Sequence, residues 1–143
     1  KELTEFSEIR REVKYGDENS RIDILLSKAD QKTYIEIKSV TLLDEAARCK
    51  EATSGHGYFP DAVTTRGQKH ILELISCIQN GHRAILFFLV QHTGIKSFSI
   101  AQHIDPDYAA LIQSALKSGV EVLVYNTDIT QFKISINKKV PFI

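Results

Sequence analysis

Apolar and polar residues alternate along the first forty positions, which is the period of a β-strand with one buried face. The alternation is clearest in SRIDILLSKADQKTYIEIKS at 20–39, which predicts strands at Arg21–Ser27 and Thr33–Ser39 joined by a turn around Ala29 and Asp30. One parity would face a core: Ile22, Ile24, Leu26, Ile35 and Ile37. The other parity is mostly polar: Arg21, Asp23, Leu25, Tyr34, Glu36 and Lys38. The pattern therefore predicts an antiparallel hairpin with one apolar face.

A preceding strand extends this predicted sheet. The segment IRREVKY at 9–15 alternates in the same way, and a turn-like segment follows it. With tight turns, paired residues have numbers that sum to 35 in the first hairpin and to 59 in the second. This register places Glu12 and Glu36 on either side of Asp23, so we expect three carboxylates in a row across three strands. Two cations form the neighbouring row: Lys14 and Arg21.

The predicted carboxylate row points to a metal ion. Directly opposed side chains such as Asp23 and Glu36 have Cβ atoms about 5 Å apart, and like charges at that distance are destabilising unless a cation or a shared proton lies between them. Oxygen ligands suit a hard divalent ion, so we predict a Mg²⁺ site at Asp23, Glu36 and Glu12, in which Mn²⁺ could substitute. If the first hairpin has another register, Glu8 or Glu5 is the alternative third ligand.

Lys38 lies two residues after Glu36 and on the same face of the predicted strand. Its ammonium group could stabilise a developing oxyanion or orient an attacking water. An ordinary solvated surface explains the same residues, because an Asp and a Glu-x-Lys are each common and their charges could pair with Arg21, Lys38 and solvent. The residues alone leave both alternatives open.

The rest of the chain predicts two longer helices and further strands. The first of these helices would be capped by Thr64 or Thr65, run to about Asn80 and end at Gly81. Its buried stripe would be Ile71, Leu74, Ile75 and Ile78. The other predicted elements are a short helix at Lys1–Ser7, a loop at Thr41–Gly57, a buried strand at Arg83–Val90, a short strand at Lys96–Ile100, a helix from Asp105-Pro106 to Lys117, and strands at Val120–Tyr125 and Gln131–Ile136. This order predicts a single α/β domain with a mixed sheet over residues 1–143.

Cations crowd the first turns of the first of these helices: Arg66, Lys69 and His70. The free N–H groups and the dipole at this end of a helix favour anions, so the cations oppose the dipole and a phosphate partner would explain them. The alternative is that they are merely exposed, which costs only a fraction of a kcal/mol. Gln68 lies one turn before the buried stripe, so we expect it to point toward the sheet.

The composition indicates a globular protein, since 43% of the 143 residues are hydrophobic and 25% are charged. The net charge of zero excludes a global basic field, so any polyanion would need a local patch. The longest apolar run, Ala84–Val90, is too short to span a membrane. Cys49 and Cys77 lack metal-ligand spacing and predict a reducing, cytoplasmic setting. We likewise expect His56 to be an ordinary loop residue and not, with Cys49, a metal ligand.

Several longer strings carry a family resemblance: REVKYG at 11–16, SRIDILL at 20–26, YIEIKSVTL at 34–42, GYFPDAVTTRGQKH at 57–70 and IDPDYA at 104–109. Together they resemble the sugar fermentation stimulation protein A family of prokaryotes, and the order of elements is similar to that of the PD-(D/E)XK nuclease superfamily. The resemblance implies a restriction-endonuclease-like α-β-β-β-α-β core followed by a C-terminal helix and strands. It also implies an upstream OB-like domain that lies outside this chain, which begins at Lys1 as a fragment would.

The resemblance also implies roles for individual residues. The superfamily pattern places metal ligands at Asp23 and Glu36, the catalytic lysine at Lys38, and accessory positions at Glu12 and Gln68. The family resemblance implies a DNA-binding protein that is associated with the regulation of sugar metabolism, notably of maltose.

Three functions are compatible with these features. The first is Mg²⁺-dependent hydrolysis of DNA phosphodiester bonds. Its nucleic-acid-binding residues would be Arg66, Lys69, His70, Lys14 and Arg21. The second is a DNA-binding regulator that keeps the acidic site without useful turnover. The third is a small-molecule enzyme with a phosphate pocket between Tyr58 and His70.

Overall fold

The computed structural model describes residues 3–16, 20–44 and 55–143. Its strands are β1 (Glu8–Tyr15), β2 (Ser20–Lys28), β3 (Gln31–Val40), β4 (Leu42–Leu43), β5 (His56–Phe59), β6 (Arg83–Val90), β7 (Ser97–Ile100), β8 (Glu121–Ile129) and β9 (Ile134–Lys139). Its helices are α1 (Thr65–Gln79) and α2 (Pro106–Ser118). One sheet has the order β1-β2-β3-β6-β8-β9 and a smaller sheet has the order β4-β5-β7. The mixed α/β class predicted from the sequence is therefore confirmed.

The chain forms two compact units. The first consists of Lys1–Ile37, Thr65–Leu86 and Ala110–Val122, and it includes β1, β2 and α1. The second consists of Lys38–Thr64, Phe87–Ala109 and Leu123–Ile143, and it includes β4, β5, β7 and β9. The single domain over 1–143 stays a prediction.

The N-terminal hairpins have the register that alternation predicted. β1 pairs with β2 and β2 pairs with β3 in antiparallel ladders, and the numbers of paired residues sum to 35 and to 59, respectively. The β2–β3 turn consists of Ala29 and Asp30, and Ala29 has a φ of 52°, a left-handed value that tight hairpin turns use. Of the predicted core parity, Ile22, Leu26 and Ile35 are buried, and Ile24 and Ile37 are half-buried. Leu25 and Glu36 of the other parity are also buried, so the prediction of a single buried face is wrong at these two positions.

Aromatic side chains form much of the core of the second unit. The ring centroid of Phe88 lies 4.7 Å from that of Phe98 and 5.5 Å from that of Phe59. Phe59 in turn lies 5.5 Å from Tyr108. Phe88, Phe98 and Tyr108 are fully buried, so these contacts exclude solvent from the interior of this unit.

Both longer helices end where the sequence predicts. Gly81 and Gly119 follow α1 and α2 with φ values of 79° and 100°, which is the left-handed region that glycine adopts without a Cβ penalty. At the start of α2, Oδ1 of Asp105 accepts a hydrogen bond of 2.8 Å from the N–H of Tyr108. The other oxygen, Oδ2, accepts one of 2.9 Å from the N–H of Thr64. Within the described ranges, no helix combines the length and the apolar character that crossing a bilayer requires.

Two segments differ from their predicted structure. Residues 3–7 are not helical and lead directly into β1, so the predicted helix at Lys1–Ser7 is wrong over its described part. β4 and β5 form at the two ends of the predicted loop at Thr41–Gly57, and residues 45–54 lie outside the described residues. β4 has two residues and β5 has four, so neither is long enough for alternation to identify it.

β9 is the outermost strand of the six-stranded sheet. Its side chains include two exposed isoleucines, Ile134 and Ile136, which are 61% and 60% exposed. Phe132, in the turn between β8 and β9, is 87% exposed. The end of this sheet therefore presents a row of apolar side chains to the surroundings.

We expect Asp105→Ala to lower the free energy of unfolding by about 2–4 kcal/mol, because it removes the acceptor of two backbone N–H groups. The side chain is 1% exposed, so water cannot readily replace it. Asp107→Ala, in the exposed first turn of the same helix, is the matched control and should cost less than about 1 kcal/mol. Urea denaturation followed by circular dichroism measures both variants. Equal losses would rule out a special role for Asp105.

Candidate functional site

The candidate site centres on Asp23 of β2 and Glu36 of β3. The β2–β3 ladder includes the pair Ile24 and Ile35, and one residue further the same register sets Asp23 opposite Glu36. Opposed residues of an antiparallel ladder project from the same face. Here Oδ2 of Asp23 also accepts a hydrogen bond of 2.6 Å from the backbone N–H of Ile37. The Asp23 carboxylate is thus held against β3, next to Glu36.

Glu36 is buried against α1. Its side chain is 3% exposed, and Oε1 accepts a hydrogen bond from Nδ1 of His70, which is 6% exposed. A carboxylate removed from water needs a compensating partner, and His70 supplies one. The alternative of a solvated polar face therefore fails at Glu36. The sequence predicted His70 to be one of the nucleic-acid-binding cations. In the structure it lies on the buried side of α1, where a nucleic-acid backbone does not reach it directly.

The inner face of α1 is more polar than its sequence suggested. The buried residues of the helix are Gly67, His70, Ile71, Leu74 and Cys77. Of the predicted stripe, Ile71 and Leu74 are buried, whereas Ile75 and Ile78 are only half-buried. The helix is therefore rotated so that His70 and Cys77, one turn on either side of the central leucine, face the interior.

The interior next to Glu36 is electrostatically negative. Burial raises the pKa of the Tyr15 hydroxyl far above its usual value, and the charges of Glu36 and Glu73 raise that pKa further. Burial also raises the pKa of the Cys77 thiol, to about 11, with a further contribution from Glu73. A Cβ at Gly16 would lie 2.8 Å from Oε1 of Glu73, so the carboxylate lies close to the backbone at this residue. Such a negative environment favours a bound cation.

Glu12 is the best placed of the candidate third carboxylates. The paired positions on both sides of it keep the predicted register, although Glu12 itself has a φ of 52° and an exposed side chain. The alternatives Glu5 and Glu8 lie toward the other end of β2, where Glu5 forms an ion pair of 2.6 Å with Lys28. Lys28 is roughly 16 Å along the strand from Asp23. Neither alternative suits the same site.

The remaining predicted residues are partly exposed. Lys38 is half-buried and follows Glu36 by two residues on β3, so strand alternation keeps it on the same side. Gln68 is half-buried in the first turn of α1. Four predicted cations are exposed: Lys14 and Arg21, which pair across β1 and β2, and Arg66 and Lys69 near the start of α1.

The donor set of the site suits a hard cation that keeps part of its water shell. In the part of the chain that the structure describes, no group of three or more His, Cys, Asp or Glu side chains is arranged to hold a metal ion. Asp23 and Glu36 offer carboxylate oxygens, and Mg²⁺ is commonly bound by one or two carboxylates plus several waters. A carboxylate has about four lone-pair sites, so accepting one hydrogen bond is compatible with coordination.

His56 lies in β5 and not in a loop. Its Nδ1 is 2.7 Å from Oγ of Ser97, and its Nε2 is 2.7 Å from Oγ of Ser99, both on the parallel neighbour β7. The ring also contacts Tyr58 edge-on at 4.7 Å. These contacts support a structural role for His56. Cys49, the other half of the metal pair that the sequence did not favour, lies outside the described residues.

Tyr15, Glu73 and Cys77 belong to the surroundings of the site, and sequence reasoning missed them. Glu73 and Cys77 follow His70 by three and seven residues, so helical periodicity could have identified them once His70 was known to face inward. Tyr15 gave no such signal, because alternation grouped it with the apolar side of β1.

The chain is similar to known proteins. A family model described as the sugar fermentation stimulation protein RE domain matches residues 1–133. The sugar fermentation stimulation protein homolog of Shewanella woodyi is 52% identical over 146 residues, which covers 98% of this chain and 57% of that protein. The homolog of Aliivibrio fischeri strain ES114 is 54% identical over 143 residues, which covers 99% of this chain and 57% of that protein. The chain thus spans about 57% of the length of these curated relatives.

A solved structure is also similar. The structure of Pyrococcus furiosus SfsA in complex with Ca²⁺ matches with a TM-score of 0.78 and 27% sequence identity. The match covers 94% of this chain and 54% of that one. The observed arrangement of strands and helices is therefore one that a related protein adopts.

The raised pKa of Cys77 predicts a loss of stability at high pH. Because the folded thiol keeps its proton up to about pH 11, against 9.0 for the ordinary value, the folded state binds more protons than the unfolded state in this window. Stability should therefore be fully present below pH 9.0 and fall as the pH rises toward 11. We expect Cys77→Ala to flatten this fall by on the order of 1 kcal/mol. Urea unfolding of both proteins from pH 8 to 11 measures the slope, and parallel curves would contradict the assignment.

Proposed function

The chain belongs to the sugar fermentation stimulation protein family, and we propose that its acidic site hydrolyses phosphodiester bonds of DNA with the help of a divalent metal ion. The proposal rests above all on the placement of Asp23 opposite Glu36 on neighbouring strands, beside the lysine of the Glu-x-Lys sequence. This is the constellation that the resemblance to the PD-(D/E)XK superfamily implies. Because the chain spans about 57% of its relatives, this function is proposed for the domain.

Asp23 and Glu36 would hold the ion, with Glu12 as an accessory carboxylate. The carboxylates of Glu36 and Glu73, whose charges add to the effect of burial in raising the pKa of Tyr15, support a cation at this place. The related Pyrococcus protein was solved with Ca²⁺, which takes the same oxygen ligands as Mg²⁺. When bound, a divalent ion supplies an activated water and neutralises charge on the scissile phosphate.

Residues around the carboxylates would keep them in place. The backbone N–H of Ile37 holds one oxygen of Asp23, and Nδ1 of His70 holds one oxygen of Glu36. Hydrogen bonds of this kind fix the orientation of metal-binding carboxylates. His70 is therefore a positioning residue in this proposal. Restricting both carboxylates lowers the entropy that they lose when they bind a cation.

Lysine, arginine and glutamine side chains around the carboxylates would act on the substrate. Lys38 follows Glu36 on the same side of β3, where an ammonium group can stabilise charge that develops on a phosphate oxygen. Gln68, in the first turn of α1, would orient the attacking water or the phosphate. The DNA backbone would be held by exposed cations: Arg66, Lys69, Lys14 and Arg21. Contacts of this type position the duplex or strand without reading its sequence.

A second candidate function is DNA binding without turnover, in regulation of sugar metabolism genes. It is favoured by the finding that, over the residues described, no set of three or more potential ligands is arranged for a metal ion. The net charge of zero agrees with it where the DNA is held mainly by another domain, because this chain has no global basic field.

Asp23→Asn should abolish metal-dependent cleavage, lowering its rate by about 100-fold or more, since it removes a charge from the ion site. Cleavage of single-stranded and double-stranded DNA is followed on gels with Mg²⁺, with Mn²⁺ and with EDTA. Asp30→Asn, in the exposed β2–β3 turn, makes the same chemical change and should keep the wild-type rate.

The two candidate functions predict different outcomes of this assay. Products that require metal, and that disappear with Asp23→Asn only, support hydrolysis at this site. Equal cleavage by Asp23→Asn and the wild type would eliminate it. DNA binding with no product under either metal would support the regulator.

His70→Ala should weaken Mn²⁺ binding by about 10–100-fold, because it removes the partner that orients Glu36. Leu72→Ala, on the 53% exposed outer side of the same helix, is the control and should bind Mn²⁺ as the wild type does. Titration followed by electron paramagnetic resonance measures free Mn²⁺ in both. If His70→Ala stays folded and its Mn²⁺ affinity is unchanged, His70 does not position a ligand.

A further inference from the structure

The second unit contains a basic pocket that the proposed function does not use. Its volume is about 470 Å³, and it is lined by Thr93, Ile95, Lys96, Asn126, Lys138, Lys139, Val140 and Pro141. Three of these eight lining residues are lysines and none is acidic. The whole chain has 18 basic and 18 acidic residues, so the pocket is a local departure from an even balance. Clustered charge of one sign in a concave wall raises the local concentration of counter-ions.

A β-bulge lies in the strand that carries two of these lysines. Along regular β-strands, neighbouring side chains point to opposite faces. In the β8–β9 ladder, however, Tyr125 pairs with Lys139 and Thr127 pairs with Ile136, so two residues of β9 oppose the one residue between them on β8. Bulges of this type re-aim side chains. The bulge thus lies at Asn137 and Lys138, directly before Lys139, and both lysines line the cavity.

Hydrogen bonds hold the bulge and the pocket wall. Oδ1 of Asn126 accepts a hydrogen bond of 3.0 Å from the backbone N–H of Lys138, which ties the bulged residue to β8. The N–H of Val140 donates to the carbonyl of Val124 at 2.9 Å. On the other side of the pocket, the N–H of Lys96 donates to the carbonyl of Gly55 at 2.6 Å. Because these backbone positions are held within the unit, a ligand would lose less free energy to ordering the wall.

The pocket also has an apolar side. Ile95 and Val140 are buried at 2% and 7% exposure, and Pro141 lies next to them in the lining. The carbonyl of Pro141 accepts a hydrogen bond of 2.9 Å from the N–H of Phe98, which holds this side against β7. Small-molecule sites combine an apolar wall with a few polar groups, and their volumes are about 300–1,000 Å³.

We propose that this pocket binds the phosphate of a nucleotide, with the three ammonium groups on the phosphate and the apolar wall against the base or sugar. Lysine is a common phosphate ligand, acting as a point charge with three donors. The nucleotide has two possible sources, a free mononucleotide or one residue of a nucleic-acid strand, which present the same chemistry to the pocket. The proposal does not depend on the acidic site, because it uses none of its residues.

The test is a binding measurement with EDTA present, so that metal-dependent cleavage plays no part. The probes are AMP, adenosine and a ten-nucleotide single-stranded DNA, titrated into the full chain by isothermal calorimetry. We expect phosphate-bearing probes to bind and adenosine to bind about tenfold more weakly or not at all, since it lacks the charged acceptor. The double variant Lys138→Gln and Lys139→Gln should lose about tenfold or more in affinity for the phosphate-bearing probe.

Two controls separate this site from general charge effects and from misfolding. Lys133→Gln, on the exposed β8–β9 turn, removes the same type of charge outside the pocket and should change the affinity less than about twofold. Lys96→Gln lies on a different segment and should weaken binding without touching the bulge. Loss of AMP affinity in both pocket variants identifies a free-nucleotide site, and loss for the DNA only identifies a strand-binding site. Unchanged affinities, equal loss in Lys133→Gln, or no binding of any phosphate-bearing probe would overturn the proposal.

Discussion

The structure around the candidate site depends on keeping the Glu36 carboxylate out of water. A buried carboxylate is costly unless hydrogen bonds or an opposite charge compensate for its lost hydration. Here the compensation comes from His70 on α1, so the position of the helix and the position of the acidic strand are linked through one contact. This contact accounts for the inward-facing histidine of α1 and for the burial of a charged residue on β3.

The same arrangement concentrates negative charge within the first unit. Glu73 adds a second inward carboxylate one turn after His70, and this carboxylate lies close to the backbone at Gly16. Burial raises the pKa values of Tyr15 and Cys77, and neighbouring carboxylates raise them further, because a second negative charge is costly beside existing anions. Tyr15 and Cys77 therefore keep their protons above the pH at which such groups ordinarily ionise.

The parts of this fold that follow from local periodicity could be predicted from the sequence. Alternation specified the register of both N-terminal hairpins, because a slip of one residue would have moved Ile22 and Ile35 out of the core. Glycines with positive φ ended both helices at the expected positions, since few other residues adopt that backbone conformation.

The parts that depend on packing could not be predicted in this way. Whether His70 faces solvent or Glu36 depends on the rotation of α1 about its axis. Aliphatic residues occur on both possible faces, so the apolar pattern does not determine this rotation. β5 pairs in parallel with a strand some forty residues later, and no local pattern indicates such a partner. The position of Asp23, in contrast, follows from a register that the sequence did contain.

The outermost strand has a consequence for how the protein behaves in concentrated solution. A sheet edge with exposed isoleucines can template pairing with another chain, and natural proteins counter this with lysines at such edges. β9 has both features, because Ile134 and Ile136 precede Lys138 and Lys139. The charges of the lysine pair thus oppose edge-to-edge aggregation. Neutralising them with polyanions or screening them with high salt would favour association through the apolar edge.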